Sequence, residues 1–298
     1  MDWITRMQNA IDYIEAHLTD TIDYEVVAEQ SFSSSYHFQR IFGILCGCTL
    51  GEYIRNRRLT LAGAELASSK EKVIDIALKY GYESPDSFAK AFQKFHGITP
   101  SEARRDGSCL KSFSRVSMKI TLEGGSMMNY RIEEKPEMVI AGCKMRMAGV
   151  PSDRYQQEHD FMVQGETRFV RYALQGMAGN CDVEYGVVSN LDEDGYDFTI
   201  GTIIPQYFVE HLKKTVGAEN IRRISIEKVP SQRYLVVETE RGYDAIQTHL
   251  ELRSRAVAEW LRTGDYLIRN APEITVFHHP AQDKAATFVE LWLPIEKK

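Results

Sequence analysis

"FQRIFGILCGCTLGE", residues 38–52, and "FAKAFQKFHGITPSE", residues 88–102, match each other at a constant offset of 50. Phe38 pairs with Phe88, Arg40 with Lys90, Phe42 with Phe92, Gly47 with Gly97, Thr49 with Thr99 and Glu52 with Glu102. Each stretch carries an apolar stripe at helical spacing: Phe38, Ile41, Phe42 and Leu45 in the first, Phe88, Phe92 and Phe95 in the second. A short apolar segment precedes each one, "YEVVAEQSF" in the first copy and "KVIDIALKYGY" in the second. The unit therefore reads as short helix, turn, helix, built twice. The serines of "SSSYHF" and Pro85 suit helix starts.

Working outward, "LGEYIRNRRLTLAGAELASS" reads as one longer helix between the copies, with Tyr53, Ile54, Leu61, Ala64 and Leu66 apolar. "RMQNAIDYIEAHL" places Met7, Ile11, Ile14 and Leu18 on a further helix ahead of them. A helix-turn-helix sets its second helix in the major groove. With the apolar stripe facing inward, the first unit leaves Tyr36, Gln39, Arg40 and Gly43 outward, and the second leaves Asp86, Ala89, Lys90 and Gln93. Arg and Lys suit guanine or phosphate, and Gln suits adenine. A connecting helix of about 17 residues spans roughly 26 Å. That is compatible with two major-groove faces about 34 Å apart on one side of a duplex. The alternative is an all-helical protein-interaction domain. The phenylalanines are core under either reading; the G-x-T after each second helix and Arg55, Arg57 and Arg58 of "IRNRR" favour DNA.

The net charge of −6 does not by itself suggest nucleic acid. Residues 1–107 hold 12 Lys/Arg against 15 Asp/Glu, a net −3. The DNA reading therefore rests on where the cations sit. The 298 residues suffice for two domains. No run approaches the roughly 18 apolar residues of a membrane span, and "MDWITRMQNAIDYIEAHL" mixes charges into every turn, unlike a targeting peptide. Five cysteines, with no C-x-x-C, are expected to be reduced thiols in a cytoplasm. No metal or cofactor motif is present.

"GSCLKSFSRVSMKITLEGGSM", residues 107–127, reads as a Ser- and Gly-rich linker with room for one short strand. Beyond it lies a second, weaker duplication. "RIEEKPEMVIAG" (131–142) resembles "SIEKVPSQRYLVV" (225–237), with Ile132, Glu133 and Pro136 on Ile226, Glu227 and Pro230. Helices are expected over 155–175, with Phe161, Phe169, Val170 and Leu174, and over 243–262, with Ile246, Leu250, Val257 and Trp260. Each copy closes on a proline, "FTIGTIIP" (198–205) and "FVELWLP" (288–294), and "NLDEDGYD" is a hairpin turn. The expected architecture is two-domain: an all-α double helix-turn-helix over 1–107, a linker over 108–127, and an α+β pseudo-twofold domain of strand-helix-strand-strand repeats over 128–298.

In "TFVELWLPI", strand alternation puts Phe288, Glu290 and Trp292 on one face. A carboxylate between two aromatics is costly to bury without a partner. One resolution is a cavity that accepts a cationic or hydrogen-bonding ligand, with the rings giving cation–π contact. The other is an ion pair with a nearby Arg or Lys, or a wet sheet edge. Aligned on the closing prolines, Glu290 falls on Gly201, which would leave room opposite the carboxylate.

"YIRNRRLTLAGAEL", "VIDIALKYGYESPDSFAKAF" and "FHGITPSEAR" together resemble the DNA-binding domain of the AraC/XylS family of bacterial transcription regulators across nearly all of 1–107. The resemblance implies DNA recognition by two helices, using Tyr36, Gln39 and Arg40 in the first and Ser84, Asp86, Ser87 and Lys90 in the second. It implies transcription control, usually activation through RNA polymerase. Asp86 can also cap its helix. The chain departs from the family where Gly43 and "ILCGC" stand in place of lysines, which should flatten the salt dependence of binding. Residues 128–298 resemble the GyrI-like effector-binding domain, most closely at "VELWLPI", where that family carries a pocket glutamate. The order of domains resembles Rob-type regulators. This implies a small amphipathic, often cationic effector bound by Glu290, Trp292, Phe288, Tyr185 and Tyr234, with Tyr130 and Phe208 as further walls.

No G-x-S-x-G, H-E-x-x-H or phosphate-binding glycine loop occurs. His278 and His279 are adjacent and point opposite ways on a strand. Two alternatives stand beside the regulator: a GyrI-like hydrolase of electrophilic small molecules with Glu290 as base, and a ligand-sequestering module with a degenerate DNA-binding domain.

Overall fold

A computed structural model describes residues 3–105, 107–117, 129–148, 154–192, 195–205, 207–209, 224–242, 251–253, 255–257, 265–280 and 282–297. One compact unit holds Met1–Phe42 and Cys48–Glu123; the other holds Gly43–Gly47 and Gly124–Lys298.

The first unit contains α1 (Trp3–Ala16), α2 (Tyr24–Gln30), α3 (Ser35–Cys46), α4 (Leu50–Ser68), α5 (Val73–Lys79), α6 (Pro85–His96) and α7 (Pro100–Ala103). The stripes explain the packing: Phe38, Ile41 and Phe42 are buried on α3, and Phe88 and Phe92 on α6. Helix α4 has 19 residues, about 28 Å, and contributes to both cores. The matching G-x-T-x-x-E segments prove to be devices for ending one helix and starting the next. Gly47 and Gly97 adopt φ of 68° and 83°, which a glycine reaches without steric cost. Thr49 with Glu52, and Thr99 with Glu102, each form a capping box. The G-x-T pattern thus serves the fold and does not by itself speak for DNA.

The turns inside the two helix-turn-helices also match. Phe32 N–H donates to Glu29 O and Ser33 N–H to Ala28 O; Gly81 N–H donates to Leu78 O and Tyr82 N–H to Ala77 O. Phe32 therefore occupies, at φ 55°, the left-handed position that Gly81 fills at 81°.

Residues 108–117, part of the expected linker, are bonded to the first unit. They lie as an extended strap along α4. Lys111 N–H donates to His96 Nδ1 (3.1 Å), Phe113 N–H to Thr60 Oγ1 (2.9 Å) and Val116 N–H to the Tyr53 hydroxyl (3.2 Å). Arg57 Nη1 donates to Phe113 O (2.7 Å), and the Phe113 ring meets Tyr53 edge-on at 6.0 Å. Leu110 packs into the core of α4, α5 and α6. The serines suggested a loose tether, whereas backbone N–H groups and two apolar side chains find partners on α4. The strand expected within this stretch does not occur in 108–117; residues 118–127 lie outside the described residues.

The second unit contains β1 (Tyr130–Lys135), β2 (Met138–Ala148), α8 (Arg154–Val163), α9 (Gly165–Ala178), β3 (Val183–Ser189), β4 (Gly195–Ile203), β5 (Ser225–Val229), β6 (Gln232–Glu238), β7 (Tyr266–Ile268), β8 (Glu273–His278) and β9 (Phe288–Lys297). The helix expected over 155–175 is broken at Gln164, which caps α9. Of the helix expected over 243–262, residues 251–253 and 255–257 are helical, and Ile246, Leu250 and Trp260 lie outside the described residues. Glu193 and Asp194 of the expected hairpin turn also lie outside them.

The strands run β1-β6-β9-β8-β3-β4-β2-β5, with β7 paired to β9. Read from either end, this order exchanges the two repeats, with β3 and β8 at the centre. Buried ion pairs repeat too: Arg171 of α9 holds Glu184 of β3, and Arg253 holds Glu273 of β8. With Glu184 set on Glu273 and Ile132 on Ile226, the pairing registers place Gly201 on Trp292 and Thr199 on Glu290. The proline-based alignment of Gly201 with Glu290 is therefore out of register by two residues. Gly201 serves a different need. It faces Gly142, and a Cβ on either would fall 2.1 Å from the partner strand's carbonyl oxygen.

The helices cover one face of the sheet, where Phe161, Met162 and Leu174 pack against Phe198, Ile200 and Val139. The opposite face gathers Met138, Ile140, Val187, Tyr234, Val236, Ile274, Val276 and Trp292. Among the described residues that cluster is made of strand side chains alone.

Candidate nucleic-acid interface and effector site

The two second helices differ in what they present. On α6, Pro85, Asp86, Ser87, Lys90, Gln93 and Lys94 are exposed. Ser84 is the N-cap: its Oγ accepts from Ser87 N–H, and Ser87 Oγ donates back to Ser84 O. The cap is Ser84, then, and Asp86 sits in the first turn beside the positive end of the helix dipole. On α3 no residue is fully exposed. Tyr36 and Gln39 are half-buried; Gln39 donates to Ser35 Oγ (3.2 Å). Arg40, expected at the surface, is 4% exposed, and its Nη1 donates to the Tyr36 hydroxyl at 3.0 Å.

The arginines of "IRNRR" divide between surface and interior. Arg57 binds Glu15 through Nε (2.9 Å) and Nη2 (2.8 Å), and Tyr53 donates to the same carboxylate (2.7 Å). Hydrogen bonding to Glu15 raises the Arg57 pKa against the opposing effect of burial. Arg58 donates to Leu18 O (2.8 Å) and Asp20 O (2.6 Å), where α1 has ended. These two brace α4 to α1 and are not displayed to a duplex. Arg55 remains about half-exposed.

On the face of the sheet opposite α8 and α9, Glu290 is 8% exposed. Trp292 Nε1 donates to its Oε2 (2.7 Å), and Arg131 Nη2 donates to its Oε1 (2.6 Å). Strand alternation placed Phe288, Glu290 and Trp292 together, and the structure brings in Tyr185 and Tyr234 at 6.2 and 5.8 Å from the Trp292 ring. Tyr234 also donates to Pro272 O at 3.2 Å. Phe288 stacks on His278 at 4.0 Å with 4° between the rings, and the Arg241 guanidinium lies 4.6 Å from it. Burial, joined by the Glu290 charge, pushes the Tyr185 hydroxyl pKa up. Burial lowers that of His278 despite the nearby carboxylate.

Two residues expected as walls lie elsewhere. Phe208 packs with Val139, Ala141 and Leu174 on the helical face. Tyr130 is 55% exposed and, by alternation, points away from the face of Arg131. Arg131, Glu133 and Lys135 were missed. Arg131 binds Glu238 (3.2 Å) and Glu133 (2.6 Å) as well as Glu290. Lys135 sets its Nζ 4.3 Å from the Trp292 ring centroid and pairs with Glu133. Burial works against the charge of Arg131, but the bonds to Glu290 and Glu133 outweigh it and raise its pKa. The alternating charges of "RIEEK" were the available signal. The ion pair left open as an alternative for Glu290 is thus present, inside the aromatic cluster.

A family model described as an integron-associated effector binding protein matches residues 131–295, more than half of the chain. A helix-turn-helix domain model matches residues 27–106. The transcriptional activator AarP of Providencia stuartii is 45% identical over 89 residues, 30% of this chain and 66% of that protein. The regulatory protein SoxS of Salmonella typhimurium is 39% identical over 98 residues, 33% of this chain and 92% of that protein. A solved structure of SAV2435 bound to tetraphenylphosphonium aligns with 57% of this chain and 94% of that one, at a TM-score of 0.44 and 14% identity.

Proposed function

Since the chain belongs to the integron-associated effector binding protein family, with an AraC-type helix-turn-helix domain ahead of that region, we propose that it is a cytoplasmic transcription activator switched by a small amphipathic cation. That it is a DNA-binding regulator with an effector-binding domain, and not an enzyme, follows from the family matches and the regulators it resembles. The finer reading goes further. Helix α6 reads duplex DNA with Asp86, Ser87 and Lys90, and Ser84 fixes its first turn. Helix α3 contributes Tyr36, Gln39 and Arg40 once the Arg40–Tyr36 bond is exchanged for DNA. The effector binds at Glu290 and Trp292, between Tyr185, Tyr234 and Phe288, and RNA polymerase is the partner that carries the signal onward.

One observation carries the effector half of this reading: a buried carboxylate, hydrogen-bonded to an indole, on a face gathering three further aromatic rings. Such a group suits a delocalised cation, through charge and ring faces together. The test is selection from random duplex DNA with the full-length protein near physiological salt. In-vitro transcription from the enriched site follows, with and without organic cations. A bipartite site with halves about one helical turn apart, and transcription that rises with cation, is the expected result. No enrichment even at low salt would remove the DNA reading. Enrichment with transcription indifferent to every cation would remove the effector.

A further inference from the structure

Both halves of the cation receptor already hold cations, and both come from one strand. The carboxylate of Glu290 is bonded by Arg131, and the face of Trp292 is covered by Lys135. Strand β1 supplies the two residues, and it is the edge of the sheet. Resting on the effector reading above, we propose that Arg131 and Lys135 are internal occupants of the effector site, which a cationic effector must displace, and that this exchange sets the selectivity of the protein.

Three observations support exchange over a fixed brace. First, the pair is asymmetric: the side chain of Glu290 is 11% exposed, while that of Arg131 is 39% exposed. The carboxylate is the fixed, desolvated partner, and the guanidinium has a way out to water. Second, Arg131 has other acceptors. Its Nε and Nη1 lie on Glu133 and Glu238, at side-chain exposures of 34% and 27%. It can release Glu290 and keep its charge compensated at the rim. Third, the site holds three carboxylates that need cations. Glu133, Glu238 and Glu290 face Arg131 and Lys135, with Arg241 over the Phe288 ring, so the carboxylates stay compensated only while cations occupy the site. A site with its deepest carboxylate behind a displaceable cation admits another cation in exchange and offers an anion no such place.

A small inorganic cation gains nothing from the rings, while a neutral aromatic cannot replace Arg131 at Glu290 without leaving a buried charge unpaired. The favoured effector is an aryl cation with diffuse charge, large enough to meet Trp292, Tyr185 and Tyr234.

The experiment uses the full-length protein and two dyes that carry the same three aryl groups: crystal violet, a triarylmethane cation, and its neutral leuco form. Binding is followed by quenching of tryptophan fluorescence, and folding of each variant by circular dichroism. Arg131→Ala should tighten crystal violet binding about tenfold by removing a competing charge, with the leuco form unchanged. In a Glu290→Gln background the same substitution should give no gain. Arg131→Ala brings three carboxylates together and can unfold the domain. Lys135→Gln then gives the test independently, with crystal violet several-fold tighter and the leuco form unchanged. If Arg131→Ala and Lys135→Gln leave crystal violet binding unchanged or weaken it, while the wild type binds in a Glu290-dependent way, the exchange is overturned and the effector site stands. If the gain appears equally for the leuco form, the residues merely occupy space and the charge competition is overturned. If the wild type and all variants fail to bind crystal violet, the effector reading falls together with the exchange.

Discussion

Phe32 is an exposed aromatic in the left-handed region, at φ 55°, where the second copy of the same turn has Gly81. A side chain there costs on the order of 1 kcal/mol. Among the described residues the Arg6 guanidinium, 4.9 Å from the ring, compensates, and at an exposed site such a contact is worth about 0.5–1 kcal/mol. We expect Phe32→Gly to leave stability unchanged or raise it by up to about 0.5 kcal/mol, measured by urea denaturation. A loss of 2 kcal/mol would show that Phe32 holds the turn. Gly63 gives the opposite sign. It lies inside α4, where Ala ordinarily gains about 1 kcal/mol over Gly. Here a Cβ would meet His96 Cε1 at 2.8 Å and Nε2 at 2.9 Å. His96 cannot give way easily, since its two ring nitrogens bond Leu59 O and Lys111 N–H. Gly63→Ala should therefore destabilise by about 1–3 kcal/mol, and a gain in the same urea titration would contradict the packing.

The strap is the element whose stability depends on a single proton. His96 Nδ1 accepts from Lys111 N–H, so Nε2 carries the hydrogen toward Leu59 O. Protonation would set an N–H against an N–H. Burial, the largest influence, lowers the His96 pKa below 6.5 even though the bond to Leu59 O opposes it. A depressed histidine contributes stability above its unfolded pKa, and that contribution is lost as pH falls through 6.5 toward the folded value. Amide exchange at Lys111 and Phe113 should therefore quicken as pH drops below 6.5, after correction for the intrinsic rate. Unchanged protection at pH 5 would detach the strap from His96. On α6, Lys90 stands exposed among Ser87 and Gln93. Lys90→Ala should reduce the slope of log affinity against log salt by about 1 and weaken all sequences alike; a loss confined to one base position would make it a base reader. How these elements could be read in advance differs with the range of the contacts. Helical stripes are local, so Phe38, Ile41, Phe42, Phe88 and Phe92 disclosed their burial. Alternation is equally local, so Phe288, Glu290 and Trp292 disclosed their common face. Arg131 reaches Glu290 across 159 positions and two intervening ladder pairings, which no local pattern carries. Arg57 reaches Glu15 across 42 positions, and a basic run looked like a DNA contact when two of its three arginines were internal braces.

At the scale of the whole molecule, a sensor needs its two binding activities to differ in free energy by a shared amount. If crystal violet raises affinity for the enriched duplex by some factor, the duplex must raise affinity for the dye by the same factor. A tight ligand with equal affinity for free and DNA-bound protein would shift nothing. Going back along the chain from β1, residues 108–117 are the first described residues of the first unit. That segment touches α4 at Tyr53, Arg57 and Thr60 and the end of α6 at His96, so it bears on both helix-turn-helix cores at once. If coupling runs through the strap, loosening it should separate the activities without removing either. Phe113→Ala deletes the ring that meets Tyr53 and leaves the exposed residues of α6 and the cluster around Glu290 untouched. In the wild type the coupling factor should fall in the range of about 5–150. In Phe113→Ala it should approach one, with duplex affinity in the absence of dye, and dye affinity in the absence of duplex, each within about threefold of wild type, roughly 0.6 kcal/mol. A factor that survives Phe113→Ala intact would move the coupling to another route, and a wild-type factor of one would leave the protein a DNA binder and a ligand binder that do not communicate.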